Sequence, residues 1–233
     1  MLKEDNLISW DGETPFSTVY DDIYYSKGSG VEEVEHVFLQ PNRIRERFLE
    51  GETSIGELGF GTGLSFLVTW DVWIECGKKS PLNFYSVEKY PIDAKEFERI
   101  DGHWPDLKSL SSLLRLETSE LEEGWNKFSF EDSSICLHLW VGDVNDFLNE
   151  MKKQSKKIDS WYLDGFSPSK NPEMWVGDVM SLVADCSIEG TTFSTFTSVG
   201  QVKRNLRQAG FQVEKIPGFG KKRDMLAGEK QSG

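Results

Sequence analysis

The stretch IGELGFGTG, residues 55–63, constrains the fold of this chain more than any other short segment. Its three glycines, Gly59, Gly61 and Gly63, lie between a strand-like run and a helix-like run. Glycine tolerates positive φ angles and lets the backbone approach another group closely, and the start of a helix offers free N–H groups. Such a turn is typical of open α/β sheets that bind a nucleotide-like ligand. Without a ligand, the same glycines would form only a tight turn.

Strand-like and helix-like segments alternate from residue 53 onward. The predicted strands are Thr53–Phe60, Asn83–Glu88, Ile135–Val141, Ser160–Leu163, Thr191–Phe196 and Phe211–Ile216. The predicted helices are Gly63–Gly77, Ile92–Ile100, Val144–Lys153, Pro172–Cys186 and Val199–Ala209. Asn171 is a candidate N-cap before Pro172. The alternation predicts an α/β fold around a parallel sheet.

Two regions interrupt this alternation. Residues 1–50 form an N-terminal extension, and residues of about 101–134 form an insertion whose segment NKFSFEDSSICLHLW predicts a hairpin turning at Glu131–Ser134. No repeat or linker divides the 233 residues. We therefore expect one domain over residues 1–233, with its core in residues 51–230.

The charge of the chain is strongly negative but unevenly distributed. The formal net charge is −13, which taken alone disfavours a nucleic acid as partner. Residues 201–230, however, hold eight Lys or Arg and three Asp or Glu, a local charge of +5 that leaves −18 for the remainder. This basic segment is either a solvated surface or an interaction surface.

Cysteine, histidine and apolar residues point away from metal and membrane. The three cysteines are far apart, and the three histidines lack ligand spacing, so we expect free thiols and no structural metal. No apolar run approaches ~18 residues, and the acidic N-terminus lacks the apolar core of a signal peptide. These features predict a cytoplasmic protein with no membrane partner.

The acid before the glycines narrows the class of ligand. Dinucleotide sites use GxGxxG, where a helix N-terminus meets a pyrophosphate. This chain has GxGxG instead, with Glu57 two residues before the first glycine. A carboxylate there repels a pyrophosphate and attracts an ammonium group. S-adenosylmethionine carries an ammonium and a sulfonium but no phosphate, so the residues favour it over a nicotinamide cofactor.

Two further acids follow predicted strands. Glu88 ends the second strand, where a carboxylate can accept both hydroxyls of a ribose. Asp143 follows the third strand, where its side chain can meet an adenine amino group. Each alone would also suit a helix N-cap. Three acids at three consecutive strand ends favour a ligand site, because open α/β sheets bind ligands at that edge.

The whole pattern resembles the tRNA 5-aminomethyl-2-thiouridine methyltransferase family, called MnmD when free-standing and forming the N-terminal half of bifunctional MnmC. The resemblance is carried by the blocks YDDIYYS, GVEEVEHVFL, ELGFGTGLSFL, SVEKYP, HWP, LWVGDVND, WYLDGFSPSKNPEMW, TFTSVGQVKRNLRQAGF and GFGKKRDMLAG. It implies a class I SAM-dependent methyltransferase fold: a Rossmann-like seven-stranded sheet whose last strand is antiparallel, with an N-terminal extension and an inserted hairpin. It also implies methylation of the exocyclic amine of the wobble uridine, in the anticodon loop of tRNA.

No second glycine fingerprint for a flavin is present, so the resemblance implies that a separate oxidoreductase or another amine-generating enzyme acts upstream. The chain is then either a free-standing enzyme or one half of a bifunctional one. The resemblance leaves the oligomeric state open.

The resemblance also assigns roles to individual residues. Asp164, after the fourth strand, would receive the amine as a base or as an orienting group, and Phe166 would stack on the uracil. The alternatives are an Asp-Gly turn for Asp164 and packing against an N-terminal lid for Phe166. The expected cofactor contacts are Tyr24, Glu57, Gly59, Phe60, Gly61, Thr62, Gly63, Glu88, Lys89 and Asp143. The expected tRNA contacts are Phe166, Pro168, Lys170, Lys203, Arg204, Arg207, Lys221, Lys222 and Arg223.

Two other functions remain open from the residues alone. One is a SAM-dependent methyltransferase of a small-molecule amine, for which the basic segment would be incidental. The other is a non-catalytic RNA-binding module that keeps the same fold. The complete set of acids and glycines at the strand ends disfavours loss of catalysis.

Overall fold

A computed structural model describes residues 7–12, 14–25 and 29–232. The strands are, in chain order, β1 (Ile8–Asp11), β2 (Thr14–Ser17), β3 (Asp22–Ile23), β4 (Thr53–Leu58), β5 (Leu82–Glu88), β6 (Gly124–Phe130), β7 (Ile135–Val141), β8 (Ile158–Tyr162), β9 (Ser187–Thr195), β10 (Phe211–Pro217) and β11 (Asp224–Lys230). The α-helices are α1 (Gly30–Val34), α2 (Ile44–Glu50), α3 (Leu64–Glu75), α4 (Ala94–Asp101), α5 (Lys108–Glu117), α6 (Val144–Lys153), α7 (Gly177–Asp185) and α8 (Gly200–Gln208). A π-helical turn spans Glu35–Leu39, and 3-10 turns span Pro105–Leu107 and Pro172–Trp175.

The central sheet has eight strands in the order β10-β11-β9-β8-β4-β5-β7-β6. Strands β4, β5, β7, β8 and β9 pair in parallel. Strand β11 is antiparallel to both of its neighbours, β9 and β10. The predicted α/β fold with an antiparallel last strand is therefore confirmed.

The predicted inserted hairpin is also present. Strand β6 pairs antiparallel with β7, from Gly124 opposite Val141 to Phe130 opposite Ile135. Three residues of the turn, Glu131, Asp132 and Ser133, have φ angles of 50°, 53° and 70°. The hairpin adds β6 at the edge of the sheet, which makes eight strands rather than the seven of the predicted core.

The sheet is covered by helices on both faces, which explains its apolar strands. Helix α3 lies in one buried cluster with the π-helical turn, whereas α6, α7 and α8 contribute to the other. The buried ring of Trp161 on β8 packs directly over Gly56 on β4, where a Cβ would overlap it. An alanine at Gly56 would therefore displace the buried Trp161 ring, since packed interiors leave no room for an added methyl group.

The structure differs from the sequence-based prediction around Pro172. One helix was predicted over Pro172–Cys186, but Val176 is extended, with ψ of 162°, and separates a 3-10 turn from α7. Asn171 occupies the N-cap position of the 3-10 turn, yet its side chain makes no capping hydrogen bond. Its predicted capping role is therefore wrong. Helices α1, α2 and α5 lie in the two regions for which no helix was predicted.

The carboxyl ends of the parallel strands lie at one edge of the sheet, as in other α/β sheets that bind ligands. The segments that follow β4, β5, β7, β8 and β9 gather at this edge, and so does the β10–β11 turn, because β10 runs in the same direction. A separate small sheet, β1-β2-β3, leads the chain to the same place. No helix in the described part of the chain has the length and apolar character needed to span a membrane.

Candidate active site

A cavity of about 340 Å³ opens at the carboxyl edge of the sheet. Its walls are formed by the glycine turn after β4, the ends of β5 and β7, residues 164–171 after β8 (the Asp164 loop), residues 20–25 (the N-terminal segment) and the helical residues 30–38. This volume is within the range of small-molecule sites, about 300–1,000 Å³. The cavity is therefore large enough for a cofactor.

The glycine turn is folded tightly against its neighbours. The N–H groups of Gly59 and Phe60 donate to the Val87 carbonyl, at 3.2 and 2.9 Å. Gly59 has φ of 102°, and a Cβ there would lie 3.1 Å from the Asp164 carbonyl oxygen. The turn thus needs glycine both for its backbone conformation and for its contact with the Asp164 loop. Gly59, Phe60, Gly61 and Thr62 line the cavity, whereas Gly63 lies behind them.

Glu88 is fixed at the cavity wall by two backbone hydrogen bonds. Its Oε2 accepts from the N–H of Gly61 at 2.8 Å, and its Oε1 accepts from the N–H of Tyr90 at 2.8 Å. Burial raises the pKa of the carboxyl above its usual range, although these hydrogen bonds oppose the shift. A carboxylate has about four acceptor sites, so Glu88 retains capacity for two ribose hydroxyls.

Asp143 is the N-cap of α6, one of the two roles that the sequence left open, and it also lines the cavity. Its Oδ1 caps α6 by accepting from the backbone N–H of Asn145 at 2.9 Å. Its Oδ2 pairs with Lys89 Nζ at 3.2 Å. Burial raises the pKa of this carboxyl, but the Asn145 and Lys89 hydrogen bonds outweigh burial and leave the pKa below its usual value. Asp143 and Lys89 both line the cavity, so an ionised acceptor is available there.

Glu57 does not line the cavity, in contrast to its expected direct contact with an ammonium group. Only 1% of its surface is exposed, and its Oε2 accepts a hydrogen bond from Ser86 at 2.6 Å. Burial raises the pKa of the carboxyl far above its usual value, the Ser86 hydrogen bond opposes this, and the charge of Asp164 adds to it. Glu57 thus lies beneath the glycine turn, where it hydrogen-bonds the polar side chains under the cavity floor.

Asp164 lies in the wall of the cavity at the end of β8. Its Oδ1 accepts from the backbone N–H of Gly165 at 2.8 Å. Burial raises the pKa of Asp164 to about 7; the Gly165 hydrogen bond opposes the shift, and the nearby charges of Glu33 and Lys222 act in opposite directions. A carboxyl with this pKa can exchange a proton near neutral pH.

Lys222 lines the same cavity, although the sequence placed it on the tRNA backbone. Its Nζ lies 3.7 Å from Glu33 Oε1 and 4.5 Å from the centre of the Phe196 ring. Both neighbours also line the cavity. Lys222 is therefore a cation of the site, close enough to influence the Asp164 carboxyl.

The N-terminal segment covers the Asp164 loop. Phe166 stacks on Tyr20, with centroids 4.7 Å apart, and meets the Tyr24 ring edge-on at 5.2 Å. The backbone N–H of Ser167 donates to Asp22 Oδ2 at 2.9 Å. Phe166 thus packs on the N-terminal segment, the alternative that the sequence left open, and it also lines the cavity. Its stacking on the uracil stays a prediction. Tyr24 lines the cavity, as its expected cofactor contact requires.

The remaining expected tRNA contacts lie outside the cavity. Lys170 forms an ion pair with Asp21 of the N-terminal segment rather than being free for a phosphate. Pro168 lies in the Asp164 loop but does not line the cavity. Four basic residues lie at the same edge of the sheet, in the first half of α8 and in the β10–β11 turn: Lys203, Arg204, Lys221 and Arg223. Arg207 lies at the far end of α8, where its Nη2 donates to the Val213 carbonyl.

Several residues of the site were not identified from the sequence. Gly30, Glu33, Val34, Val37 and Phe38 line the cavity from α1 and the π-helical turn. Their spacing, i, i+3, i+4, i+7 and i+8, is that of one helix face and was the signal available. Phe196 and Asn171 also line the cavity and carried no distinguishing pattern.

The charges lining the cavity suit S-adenosylmethionine. Six acidic residues and two lysines line it: Asp22, Glu33, Glu88, Asp143, Asp164 and Glu173, with Lys89 and Lys222. A pyrophosphate would meet strong repulsion here, whereas an ammonium and a sulfonium would be attracted. Glu88 and Asp143 place two carboxyl groups, both hydrogen-bond acceptors, in the cavity wall. Within the described ranges, no cluster of His, Cys, Asp or Glu is placed to hold a metal ion.

Comparison with known proteins gives the same class. A family model described as an S-adenosyl-L-methionine-dependent methyltransferase matches residues 105–231. The tRNA 5-methylaminomethyl-2-thiouridine biosynthesis bifunctional protein MnmC of Nitrosospira multiformis is 46% identical over 228 residues, 96% of this chain and 36% of that protein. The protein of the same name from Hahella chejuensis is 43% identical over 95% of this chain and 36% of its own length. The chain thus spans about a third of these curated relatives.

A solved structure extends the comparison to the fold. The crystal structure of MNMC2 from Aquifex aeolicus matches with a TM-score of 0.78 and 26% sequence identity. The match covers 95% of this chain and 69% of that one. The likeness therefore extends over nearly the whole chain rather than over the central sheet alone.

Proposed function

The chain belongs to the S-adenosyl-L-methionine-dependent methyltransferase family, and from that premise we propose that it methylates 5-aminomethyl-(2-thio)uridine at the wobble position of tRNA. The product is 5-methylaminomethyl-(2-thio)uridine. The observation that carries this proposal is the Asp164 carboxyl, with a pKa of about 7, in the wall of an acid-lined cavity. The names of relatives that are 46% and 43% identical to nearly all of this chain support the tRNA substrate.

The proposed position of the cofactor follows from the hydrogen-bond acceptors Glu88 and Asp143 in the cavity wall. When bound, S-adenosylmethionine supplies a methyl group on a positively charged sulfur. Glu88 would hold the ribose hydroxyls, Asp143 the adenine amino group, and the glycine turn would pack closely against the ligand. We infer that residues 20–25 act as a lid over the cofactor, because Tyr24 lies over Gly61, 3.4 Å from where its Cβ would be.

Asp164 would accept a proton from the substrate. An alkylamine has a pKa of about 10 in water, so the substrate arrives mostly as an ammonium ion, which the acidic cavity attracts. Asp164 accepts one proton from this ammonium group, which leaves the nitrogen lone pair free to bond to the methyl carbon. The nitrogen would gain the methyl group as the bond between the methyl carbon and sulfur breaks, so the positive charge would pass from sulfur to nitrogen and a neutral thioether would leave. Holding the nitrogen in line with that carbon lowers the barrier further.

The substrate requires an earlier reaction. A uridine with a primary aminomethyl group at C5 must be made first, either by an oxidoreductase that shortens a longer amine or by an enzyme that installs the amine directly. Because its proposed substrate is a tRNA, we expect this chain to work in the cytoplasm. The basic residues at the cavity edge would contact the anticodon stem-loop.

The test uses labelled S-adenosylmethionine and two tRNAs, one carrying the aminomethyl group and one lacking it. We expect methyl incorporation only into the amine-bearing tRNA, with the label recovered as 5-methylaminomethyluridine after nuclease digestion. A free alkylamine of similar size is assayed in parallel. Methylation of the free amine but of neither tRNA would favour a small-molecule methyltransferase. Methylation of none of the three substrates would favour a non-catalytic RNA-binding module.

A further inference from the structure

Asn171 is a polar residue that lines the cavity, and the proposed function assigns it no role. It precedes the 3-10 turn at Pro172–Trp175, where an asparagine side chain would ordinarily cap the first N–H groups. Its side chain makes no such hydrogen bond. The side chain is only 7% exposed and instead lines the cavity.

The hydrogen-bonding capacity of this amide is almost unused. Its Nδ2 has a single partner among the described residues, the sulfur of Met174 at 4.0 Å, and a thioether is a weak acceptor. Its Oδ1 accepts no hydrogen bond from any residue that the structure describes. Amides in protein interiors are ordinarily satisfied, so this largely unused amide, in the cavity wall, is available to a ligand.

The position of Asn171 is well fixed and close to Asp164. Its backbone N–H donates to the Ser167 carbonyl at 2.9 Å, which closes the Asp164 loop. The sulfur of Met174, its side-chain neighbour, occupies the space beside Gly165 where a Cβ would otherwise lie. Asp164, Gly165, Met174 and Asn171 therefore form one contiguous part of the cavity wall.

We propose that Asn171 positions the uracil ring by binding its imide edge, the N3–H and O4 groups. This inference rests on the proposed function and names the contact that would orient the base. In the substrate, the aminomethyl group is on C5, O4 is on the adjacent C4, and N3 follows. When the amine lies at Asp164, the next groups along the ring are therefore O4 and N3–H. A side-chain amide offers one donor and one acceptor to this edge, whichever way round the amide is placed.

The contact would act on catalysis through orientation. The ring is joined to the amine by a single methylene group, so fixing the imide edge restricts where the nitrogen can lie. Asp164 alone can hold the amine but cannot fix the rotation of the ring behind it. Asn171 is thus a positioning residue, and it does not exchange protons with the substrate.

The experiment pairs a change in the protein with a change in the substrate. Two anticodon stem-loop RNAs are made, one with 5-aminomethyluridine and one with its N3-methylated form, which lacks the N3–H. The value of kcat/KM is measured for the parent chain and for Asn171→Ala. We expect the parent to prefer the unmethylated ring by at least about tenfold, and Asn171→Ala to lose most of that preference. The exposed Asn149→Ala, on α6, is the matched control and should keep the parent's preference.

The outcomes separate the proposal from the function on which it rests. Equal reductions with both RNAs in Asn171→Ala would mean a general structural role and would overturn the proposal. No methyl transfer by the parent chain to the unmethylated ring would reject the proposed function, and the proposal with it. Affinity for S-adenosylmethionine, measured by calorimetry, should change less than about threefold. If Asn171→Ala loses that affinity, Asn171→Leu, which keeps the volume, is measured in the same pair of assays and must also lose the preference.

Discussion

The ring of Phe166 stacks on the ring of Tyr20, with the two planes inclined by 27° and the centroids 4.7 Å apart. This contact joins the Asp164 loop to the N-terminal segment across the mouth of the cavity. The hydrogen bond from Ser167 to Asp22 and the ion pair between Lys170 and Asp21 join the same two segments. The lid that we propose over the cofactor is therefore held against the Asp164 loop by contacts between distant parts of the chain.

Replacing Tyr20 tests whether the N-terminal segment acts as a lid over the cofactor. An aromatic pair contributes about 0.5–1.5 kcal/mol beyond its buried area, so Tyr20→Ala should weaken S-adenosylmethionine binding by about three- to tenfold, measured by calorimetry. Tyr20→Phe keeps the stacked ring and should bind within about twofold of the parent. Equal affinities for the alanine and phenylalanine variants would show that the stacked pair does not close over the cofactor.

The rate of methyl transfer should depend on the ionisation of Asp164. Burial raises its pKa to about 7, and only the carboxylate can accept a proton from the substrate ammonium group. The single-turnover rate should therefore rise with pH, tenfold per unit, up to about pH 7 and then level off. In Asp164→Asn the rate at pH 7 should fall by about 10²–10⁴-fold. The rate of this variant should keep rising with pH above 7, up to the pKa of the free amine, about 10.

The same parent profile in Asp164→Asn would contradict this role. Binding of S-adenosylmethionine is the control, and it should change by no more than a few-fold, because Asn keeps the shape and an acceptor for the Gly165 N–H. Lys222 and Glu33 also carry charge beside Asp164. A shift of the pH midpoint in Lys222→Met, upward because a cation is removed, would identify Asp164 as the titrating group.

The folding stability of the chain should depend on pH through the same residue. The folded chain binds the Asp164 proton more tightly than the unfolded chain, in which the pKa is about 3.9. The stability that this proton contributes is present below about pH 4 and is lost as the pH rises to about 7. Asp164→Asn should therefore raise the thermal midpoint more at pH 8 than at pH 4.5, measured by calorimetry. Asp132→Asn, at an exposed position in the hairpin turn, is the control for the effect of the substitution itself. An equal rise of the thermal midpoint at both pH values in Asp164→Asn would show that the pKa of Asp164 is not raised in the folded chain.

Glu88 offers a test of the cofactor site. Its two oxygens accept hydrogen bonds from the N–H groups of Gly61 and Tyr90, and the residue lines the cavity. Hydrogen bonds to a charged group contribute about 1.5–3 kcal/mol each, so Glu88→Gln should weaken S-adenosylmethionine binding by at least about tenfold. Glu123→Gln, at an exposed position before β6, is the matched control. Unchanged affinity in Glu88→Gln would remove Glu88 from the cofactor site.

The alternation of strands and helices, and a parallel sheet, could be predicted because apolar strands, glycines and helix boundaries are local signals. The strand order depends on long-range pairing and was not predicted, and β11 was not among the predicted strands. The acids Glu88, Asp143 and Asp164 were expected at this edge for the same reason, since each lies at the end of a strand or within two residues of it, and all three line the cavity. Glu57 was predicted to reach the ligand, but its depth below the glycine turn depends on how Ser86 from β5 packs against it. Sequence spacing places a residue on a strand but does not say how far its side chain is from the surface.

Phe166 and Lys222 show more clearly which contacts cannot be predicted from the sequence. Each has the chemistry expected of a residue that binds RNA, an exposed ring and a flexible cation. Their partners, Tyr20 and Glu33, come from the N-terminal part of the chain, more than a hundred residues away. Contacts of this kind are set by the tertiary fold, and no local pattern within the Asp164 loop or the β10–β11 turn reveals them.

The placement of Lys222 changes how a tRNA-binding surface should be tested. Lys222 lines the cavity, so its removal would disturb both the site and the surface. Lys203, Arg204, Lys221 and Arg223 lie at the same edge of the sheet without lining the cavity. Replacing these four with alanine should lower tRNA affinity and leave S-adenosylmethionine affinity unchanged. For every phosphate that the variant no longer neutralises, the slope of log affinity against log salt should also become shallower by about 0.7–0.9. The control replaces Lys79, Lys152 and Lys153, exposed cations at the opposite edge of the sheet. Equal tRNA affinities for the two variants, measured by filter binding at several salt concentrations, would mean that the edge next to the cavity does not bind tRNA.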